Sequence, residues 1–507
     1  NQAYLKLNWR DHFVAKNDPN YASFQSPRVN TGKWPKTSVL LSPRVGFNYD
    51  VNGDRSLVVR GGTGVFTGRV PLVFLVNMPT NSAMIQNTIT VTDAKTLEKF
   101  KNNMLTNVDD MIKLLDAPTT PIYGDPNSTA SRASIAGIAD DFKMPQIWKN
   151  TLAVDYRLPV SFPLTLTVEG MYNKDIYNVV MRNWNIVNNG NLSRFAGPDN
   201  RLDYSTSTTG NYLVDKNVTG GAVILDNDTR GYSASFNTMV TAEPIKDLNL
   251  MFSYTHQWAK EITGLPGNQA YSTWQGLYAV DGPNNAELHN AQYLTPDKLI
   301  ASLTYRKDYG KYFATSVGLY YAAYSSGMYN YYYSNDMNGD KNSFDLMYIP
   351  RTKDELKFVD KNGFTAAEQA EAFWRFVEQD KYLSAHKGEY AEAYGAALPW
   401  VHRFDLKVTQ DFRLRAGKAI HTLQLSFDIL NVGNLLKSSW GVTQTTSPSN
   451  YGKILRYEGK DANGVPTYSM GYNTVNKKKE LYSRTYEPYR NSSNCWQMQI
   501  GLRYIFN

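Results

Sequence analysis

The sequence predicts an all-β protein, a transmembrane antiparallel β-barrel whose long extracellular loops contain short helices. Three observations support this prediction. Of 507 residues, 36 are Tyr, 10 Trp and 21 Phe, so most aromatic side chains carry a polar group that suits a membrane–water boundary. Apolar and polar residues alternate over about ten to sixteen residues at a time, longer than the ~5–6 residues of a typical strand. Short turns and long polar segments alternate between these stretches.

The C-terminal segment shows the clearest strand pattern. From Trp496 to Phe506, the even-numbered residues are apolar or aromatic and the odd-numbered ones are mostly polar. This length matches a tilted strand that crosses a bilayer. Other segments repeat the alternation with carboxylates and bases on the non-aromatic face. We expect that face to line a water-filled lumen and these charges to pair with each other: Glu169, Arg403, Asp405, Lys407, Asp411 and Arg503.

About fourteen segments of this kind are predicted as barrel strands. They lie near residues 2–10, 42–51, 56–66, 146–158, 163–177, 229–243, 246–260, 297–307, 311–325, 400–414, 418–432, 436–446, 451–458 and 493–506. Short turns on one side and long loops on the other are the asymmetry of outer-membrane barrels. Within the long loops, apolar residues at helical spacing predict helices over 92–115 and 365–383.

Composition excludes several other classes of protein. The longest apolar run, residues 70–76, contains Pro71 and is far shorter than the ~20 residues of a membrane helix. Hydrophobic residues reach 42% without heptads, which excludes collagen, coiled coil and bulk disorder. A single cysteine excludes an intrachain disulfide. The net charge of +7 comes without a recognition module or a basic run longer than 477–479, so we expect no nucleic-acid partner.

No catalytic residue is predicted, and the chain is not expected to be an enzyme. The six histidines contain neither a His-x-x-x-His pair nor a His-Glu-x-x-His motif, and no Gly-x-Ser-x-Gly motif is present. Gly61, Gly62 and Gly64 lack the Gly-Lys-Ser/Thr ending of a phosphate-binding loop. We interpret them as glycines that let a strand pack closely or bend.

Several segments, taken in order, resemble TonB-dependent outer-membrane transporters of the Bacteroidota. The resemblance is strongest to the C-terminal barrel portion of the Oar-like branch, whose members carry a carboxypeptidase-regulatory-like domain. The matching segments are 41–50, 59–71, 336–340, 345–350, 373–383, 399–406, 427–434 and the aromatic final strand. The chain departs from the family pattern at 386–394, where the family favours an arginine-rich stretch, and at Asn507, which follows the terminal aromatic residue.

The resemblance implies a larger assembly than this chain. Family members have 22 strands around a plug, so residues 1–507 are expected to be the C-terminal part of the barrel. The plug and first strands would lie upstream or on another chain. A start without an initiator Met or signal peptide agrees with this, although a mature start after signal cleavage is the alternative.

The resemblance also implies function, partners and location. The chain would form the wall and outer loops of an active importer in the outer membrane of a Gram-negative bacterium. Its partners would be the plug, the TonB–ExbB–ExbD complex acting through that plug, lipopolysaccharide and membrane lipid, with a surface lipoprotein as a further candidate. Two alternatives stay open at this point: a structural or adhesive surface barrel, and a secretion or assembly barrel that binds protein partners without import.

Two loop segments contain candidate binding residues. Tyr329, Tyr331, Tyr332 and Tyr333, with Trp274 in another loop, would offer a stacking platform for a sugar or peptide; the alternative is a strand that leaves the membrane through its aromatic girdle. An iron chelate is a third substrate class that the sequence leaves open.

The oxygen-rich segment after these tyrosines is a candidate calcium site, and no other cofactor is predicted. Its ligands would be Asp336, Asn338, Asp340 and Asp345, because hard cations need six to eight oxygen ligands. Met347 occupies the position where an EF-hand has glutamate. The alternative is a turn whose Asp and Asn side chains bond to its own backbone.

Overall fold

A computed structural model describes residues 34–80, 93–101, 110, 113, 135–186, 192–205, 221–446 and 452–506. The strands in chain order are β1 Arg44–Asp50, β2 Leu57–Thr67, β3 Ile135–Ile138, β4 Gln146–Arg157, β5 Leu164–Asn183, β6 Ala222–Asp228, β7 Tyr232–Ala242, β8 Leu248–Glu261, β9 His289–Asn290, β10 Asp297–Tyr309, β11 Phe313–Ser325, β12 Met328–Tyr329, β13 Lys357–Phe358, β14 Ala396–Ala397, β15 Trp400–Ala416, β16 Ala419–Leu430, β17 Gln444–Thr446, β18 Leu455–Lys460, β19 Pro466–Met470, β20 Tyr472–Val475, β21 Lys478–Leu481, β22 Tyr486–Pro488 and β23 Gln497–Phe506. The helices are α1 Leu72–Thr80, α2 Ala94–Lys101, α3 Ala270–Gln275, α4 Ala366–Gln379, α5 Lys381–Ala385 and α6 Val432–Leu436.

Eleven long strands form one continuous sheet, which we call the wall. Their order is β1–β2–β4–β5–β7–β8–β10–β11–β15–β16–β23, and each strand pairs antiparallel with its neighbour. Neighbours in the sheet are therefore neighbours in sequence among the long strands. Eleven of the predicted segments, 42–51 through 418–432 and 493–506, are confirmed as wall strands; residues 2–10 lie outside the described residues.

Strand pairing aligns apolar side chains into rows across one face of the wall. One such row joins Leu406, Leu319, Leu303 and Leu250 through successive register pairs. Large apolar side chains on this face stay exposed; Ile500, for example, keeps 63% of its surface accessible. A soluble sheet would bury such a face against a core, whereas a barrel wall exposes it to lipid.

The opposite face carries charged side chains that pair across strands. Arg60 contacts Glu169 at 3.1 Å, Arg306 contacts Asp411 at 2.9 Å, and Lys407 contacts Asp428 at 2.7 Å. The expected pairing of lumen charges is thus confirmed for Glu169, Lys407 and Asp411. The other three predicted lumen charges are not paired in this way. The Asp405 carboxylate accepts a hydrogen bond from the backbone N–H of Asn431 at 2.7 Å. Within the described parts of the chain, Arg403 and Arg503 form no ion pair.

Two predicted wall strands are wrong. Residues 436–446 contain the end of α6, a turn and the short strand β17, which pairs with β22 outside the wall. Residues 451–458 overlap β18, which joins β19 and β13 in a separate three-stranded sheet. Strand β16 ends where Asn431 adopts a left-handed φ of 52°, a conformation that Asn tolerates better than most residues. Alternation alone does not reveal which sheet a strand joins, because every half-buried strand has period two.

The predicted loop helices are found in part. Residues 365–383 form α4 and α5, and α4 begins with a capping box between Thr365 and Glu368. In the predicted helix over 92–115, α2 covers Ala94–Lys101, and most of the remainder lies outside the described residues. Where the structure describes the chain, no helix combines the length and apolar character that a bilayer crossing requires.

We expect Phe252→Arg to destabilise the folded barrel by about 2–4 kcal/mol if it sits near the bilayer centre, because its side chain belongs to the lipid-facing apolar face. Phe252 pairs with Ala301 and Val240 in the register of that face. Urea unfolding in lipid vesicles, followed by heat-modifiable gel mobility, measures the loss. The matched control is Ser253→Arg, whose side chain points to the lumen at the same depth. Equal destabilisation by both variants would contradict the assigned faces.

Candidate functional site

The long loops gather at one end of the wall into a packed body, which we call the outer mouth. It comprises the described parts of residues 178–228, 261–292, 326–398 and 431–492. Twenty buried side chains from these loops form one apolar cluster, among them Phe195, Tyr333, Phe376, Leu455 and Tyr468. The loops therefore stabilise each other through a shared core instead of extending separately into solvent.

A fully buried ion pair connects three loops of the outer mouth. Arg201 donates to Asp199 at 2.8 and 3.2 Å and to the carbonyl oxygen of Leu346 at 2.6 Å, with none of its surface exposed. The hydroxyls of Tyr333 and Tyr468 donate to Asp199 at 2.7 and 3.1 Å. Burial opposes the charge, but the adjacent Asp199 raises the pKa of Arg201 above its ordinary value. The guanidinium therefore stays charged and holds the loops in one arrangement.

A second buried carboxylate, Asp380, lies at the junction of α4 and α5. It accepts hydrogen bonds from the hydroxyls of Tyr331 at 2.5 Å and Thr485 at 2.6 Å. Its other oxygen accepts from the backbone N–H groups of Tyr382 and Leu383, which begin α5. One side chain thus caps a helix and joins it to two further loop segments.

The predicted stacking residues are buried. Tyr329, Tyr331, Tyr332 and Tyr333 keep 8%, 1%, 6% and 0% of their surface exposed, and Trp274 keeps none. The Tyr329 hydroxyl lies 3.0 Å from that of Tyr486, and neighbouring rings cover the tyrosine faces. In this arrangement the tyrosines form part of the protein core, because no ring face is open to a ligand. Ligand stacking on them stays a prediction that requires the loops to rearrange.

Trp274 does not join the tyrosine group. Its indole N–H donates to the side-chain oxygen of Asn284 at 2.9 Å, and its ring packs in a separate apolar cluster with β3 and β6. The sequence grouped it with the tyrosines only because both lie in long loops. The structure places the two groups in different cores, so they do not form one binding surface.

The oxygen-rich segment forms a tight turn whose side chains bond to its own backbone. Asp336 accepts from the N–H groups of Gly339 and Lys341 at 2.7 and 2.9 Å, and Asn338 accepts from that of Asp340 at 3.0 Å. Asp345 accepts from the Met337 N–H at 2.8 Å. Among the described residues, no three His, Cys, Asp or Glu side chains are grouped as a metal site would need.

The carboxyls of this turn are nevertheless difficult to ionise. Burial, and then the nearby charge of Asp336, raises the pKa of Asp340 to about 7. Burial and the charge of Asp340 raise the pKa of Asp345 well above its ordinary value. One oxygen of Asp340 has no hydrogen-bond partner within the described residues. Calcium binding at this turn stays a prediction.

A cavity of about 610 Å³ opens between three loops of the outer mouth. Its wall contains apolar side chains such as Leu202 and Leu288 and the ring of Tyr390, together with charged groups. Arg194, Asp281, Glu287 and Glu392 supply these charges. Sequence reasoning missed this cavity, because its residues come from segments far apart and share no motif. The sequence feature that could have pointed to the cavity was the departure from the family pattern at 386–394, a segment that includes Tyr390 and Glu392.

Comparison with known families adds a decisive observation. A family described as "Outer membrane beta barrel domain" matches residues 11–461. The chain belongs to this family of outer-membrane β-barrels. The family and the lipid-facing wall together place the protein in the outer membrane of a Gram-negative bacterium. No curated protein sequence matches the chain.

The chain is similar, at low identity, to several solved structures of outer-membrane receptors and transporters. A double mutant of the ferric enterobactin receptor from Pseudomonas aeruginosa is 8% identical over 80% of this chain, with a TM-score of 0.35. The outer membrane transporter YddB from Escherichia coli is 10% identical over 90%, with a TM-score of 0.37. BauA, the ferric preacinetobactin receptor from Acinetobacter baumannii, is 10% identical over 81%, with a TM-score of 0.32. The chain spans 35%, 40% and 34% of these proteins, respectively.

We expect Asp380→Ala to loosen the outer mouth without unfolding the wall. The substitution leaves two buried hydroxyls and two backbone N–H groups without their acceptor, at a cost of roughly 3–5 kcal/mol. Hydrogen exchange should accelerate in α5 and around Tyr331 and Thr485, while the wall strands keep their protection. Asp354→Ala, at an exposed carboxylate, is the control and should change neither. Unchanged exchange in Asp380→Ala would show that this carboxylate does not hold the mouth together.

If the turn at 336–345 binds calcium, Ca²⁺ should slow hydrogen exchange there. At pH 7.5 and free Ca²⁺ about ten times its Kd, exchange of residues 336–346 should fall about tenfold relative to EGTA. Asp340→Asn should remove this difference, and Asp354→Asn should keep it. Equal exchange in Ca²⁺ and EGTA for the wild-type protein, at millimolar Ca²⁺, would end the calcium hypothesis.

Proposed function

We propose that this chain forms the wall and outer mouth of a TonB-dependent active importer of the Oar-like branch of the Bacteroidota. The observation that carries the proposal is the combination of a charged inner face with free sheet edges. Within the described residues, β1 and β23 each pair with a single wall strand. Unpaired backbone groups cost several kcal/mol each in hydrocarbon, so further strands must complete this barrel. Barrels of about 16–18 strands leave an aqueous channel and those of about 22 strands a plugged lumen, so a barrel of the size that the resemblance implies would hold a plug.

Each part of the structure has a role in this proposal. The outer mouth captures substrate, and the charged inner face gives a polar surface to the upstream plug. The TonB–ExbB–ExbD complex then pulls on that plug, and the substrate passes through the lumen chemically unchanged. Lipopolysaccharide and membrane lipid contact the apolar face, and a surface lipoprotein would cover the mouth. The packed core of the mouth supports the capture role, because a rigid scaffold positions binding groups better than separate loops do.

Heat-modifiable gel mobility of the detergent-extracted outer membrane tests this proposal. Each band, from unboiled and boiled samples, is identified by peptide mass mapping. We expect a compact unboiled species that releases this polypeptide together with upstream sequence containing a plug. The physical reason is that the free edges of β1 and β23 need partner strands to stay in the membrane.

The opposite result would favour one of the other classes. If this polypeptide alone forms the compact species, the wall closes a smaller barrel without a plug. An adhesive or secretion barrel would then replace the importer. A boiled sample is the internal control, because a folded barrel changes mobility on boiling and an unfolded chain does not.

A further inference from the structure

The cavity in the outer mouth has the size of a small-molecule site. Its volume of about 610 Å³ lies within the ~300–1,000 Å³ of such sites. Residues from three separate loops meet around it, near Leu202, Leu288 and Ala391. A site built by several loops of an otherwise packed mouth offers both apolar contact and selective polar groups.

Two of the four charged side chains in the cavity wall form an ion pair with each other. Arg194 donates to both oxygens of Asp281, at 3.3 and 2.9 Å, and to the carbonyl oxygen of Asn200 at 2.7 Å. Asp281 also accepts the backbone N–H of Leu202 at 2.7 Å. The two nitrogens of the buried His289 ring face backbone carbonyl oxygens. Arg194 and Asp281 together therefore add no net charge to the cavity wall.

The other two charged side chains in the same wall are both carboxylates. Glu287 is exposed and forms no ion pair with any residue that the structure describes. Glu392 keeps 58% of its side chain exposed, and its contact with Lys260 is 3.4 Å long. Both line the cavity, whereas the one Lys or Arg side chain among the described lining residues, Arg194, is paired with Asp281. The accessible charge of the cavity is therefore negative, although the whole chain carries +7.

We propose that this cavity binds a small amphipathic ligand that carries an amino group, namely a short peptide with a cationic end. The apolar wall accommodates aliphatic side chains, and Glu287 and Glu392 attract the ammonium group. Both carboxylates disfavour an anionic ligand, since like charges repel. This assignment deepens the proposed import function, because it names the substrate class that the outer mouth captures.

Titration calorimetry of the intact detergent-solubilised protein tests the assignment with two probes. One is the amide of lysyl-leucyl-leucine, which carries two ammonium groups. The other is the amide of N-acetyl-glutaminyl-leucyl-leucine, which has similar size and no charge. We expect the cationic probe to bind about tenfold more tightly, because each of its two ammonium groups can form a partly exposed ion pair. The preference should decrease at high salt.

Variants assign this preference to the cavity. In the double variant Glu287→Gln/Glu392→Gln, the cationic probe should bind about tenfold more weakly and the neutral probe as before. Glu389→Gln, at an exposed carboxylate outside the cavity wall, is the control and should bind both probes like the wild type. Heat-modifiable mobility confirms that each variant is folded.

Three results would overturn the assignment: equal binding of both probes, no binding of either probe at millimolar concentration, or an unchanged preference in the double variant. None of these results bears on the importer itself, since binding to purified protein does not require TonB or the plug. Conversely, a compact species without a plug would end the importer proposal and leave binding by the cavity intact.

Discussion

Inside a bilayer no water is available to hydrogen-bond a backbone N–H or C=O group, and the form of the wall follows from this constraint. Each of the ten strand pairings between β1 and β23 satisfies the backbone of two neighbours in antiparallel register. The same register sorts side chains by face, because successive residues of a strand point in opposite directions. Apolar rows such as Leu406–Leu319–Leu303 therefore meet lipid, and charged residues are left on the lumen side.

On the lumen side, the wall exposes charged side chains to water. Charges there are hydrated or paired, as the contacts of Arg60 with Asp155 and Glu169 show. Such partly exposed pairs contribute little stability individually, with a median of ~0–1 kcal/mol. Their importance lies in keeping the inner face polar, so that it can face water, a plug or a passing solute without exposing apolar surface.

The outer mouth lies outside the bilayer, so its backbone does not have to pair in a closed sheet. Buried polar groups hold its loops together instead. Arg201 and Asp199 have 0% and 1% of their surface exposed, and they connect segments that are more than a hundred residues apart in sequence. Removing one partner of a buried pair typically costs ~3–5 kcal/mol, since the other charge is left without compensation. Packing of this kind turns long loops into a rigid body in which a cavity can keep its shape.

The wall and the cavity place different demands on the sequence. The wall needs only the correct alternation, and many sequences satisfy it. The cavity needs Glu287 and Glu392 beside the same apolar surface, although they lie on different loops. The shape of the cavity therefore depends on how the mouth packs, whereas the two faces of the wall do not.

The sequence by itself determined the class of fold and most of the wall. Period-two alternation and helical spacing are local properties of a segment, so eleven wall strands and the helices α4 and α5 could be predicted without tertiary information. The same locality explains the errors. Residues 436–446 and 451–458 alternate like wall strands, yet the left-handed turn at Asn431 directs the chain into the mouth, where β17 and β18 find other partners.

Only the tertiary structure decided the site. The run of tyrosines at 329–333 looks like an open platform in sequence, but neighbouring loops cover the rings, because buried hydroxyls find acceptors in Asp380 and Asp199. The carboxylates that remain exposed carry no motif and are separated by about a hundred residues. Burial and proximity arise from contacts between distant segments, and no local pattern of residue types encodes such contacts.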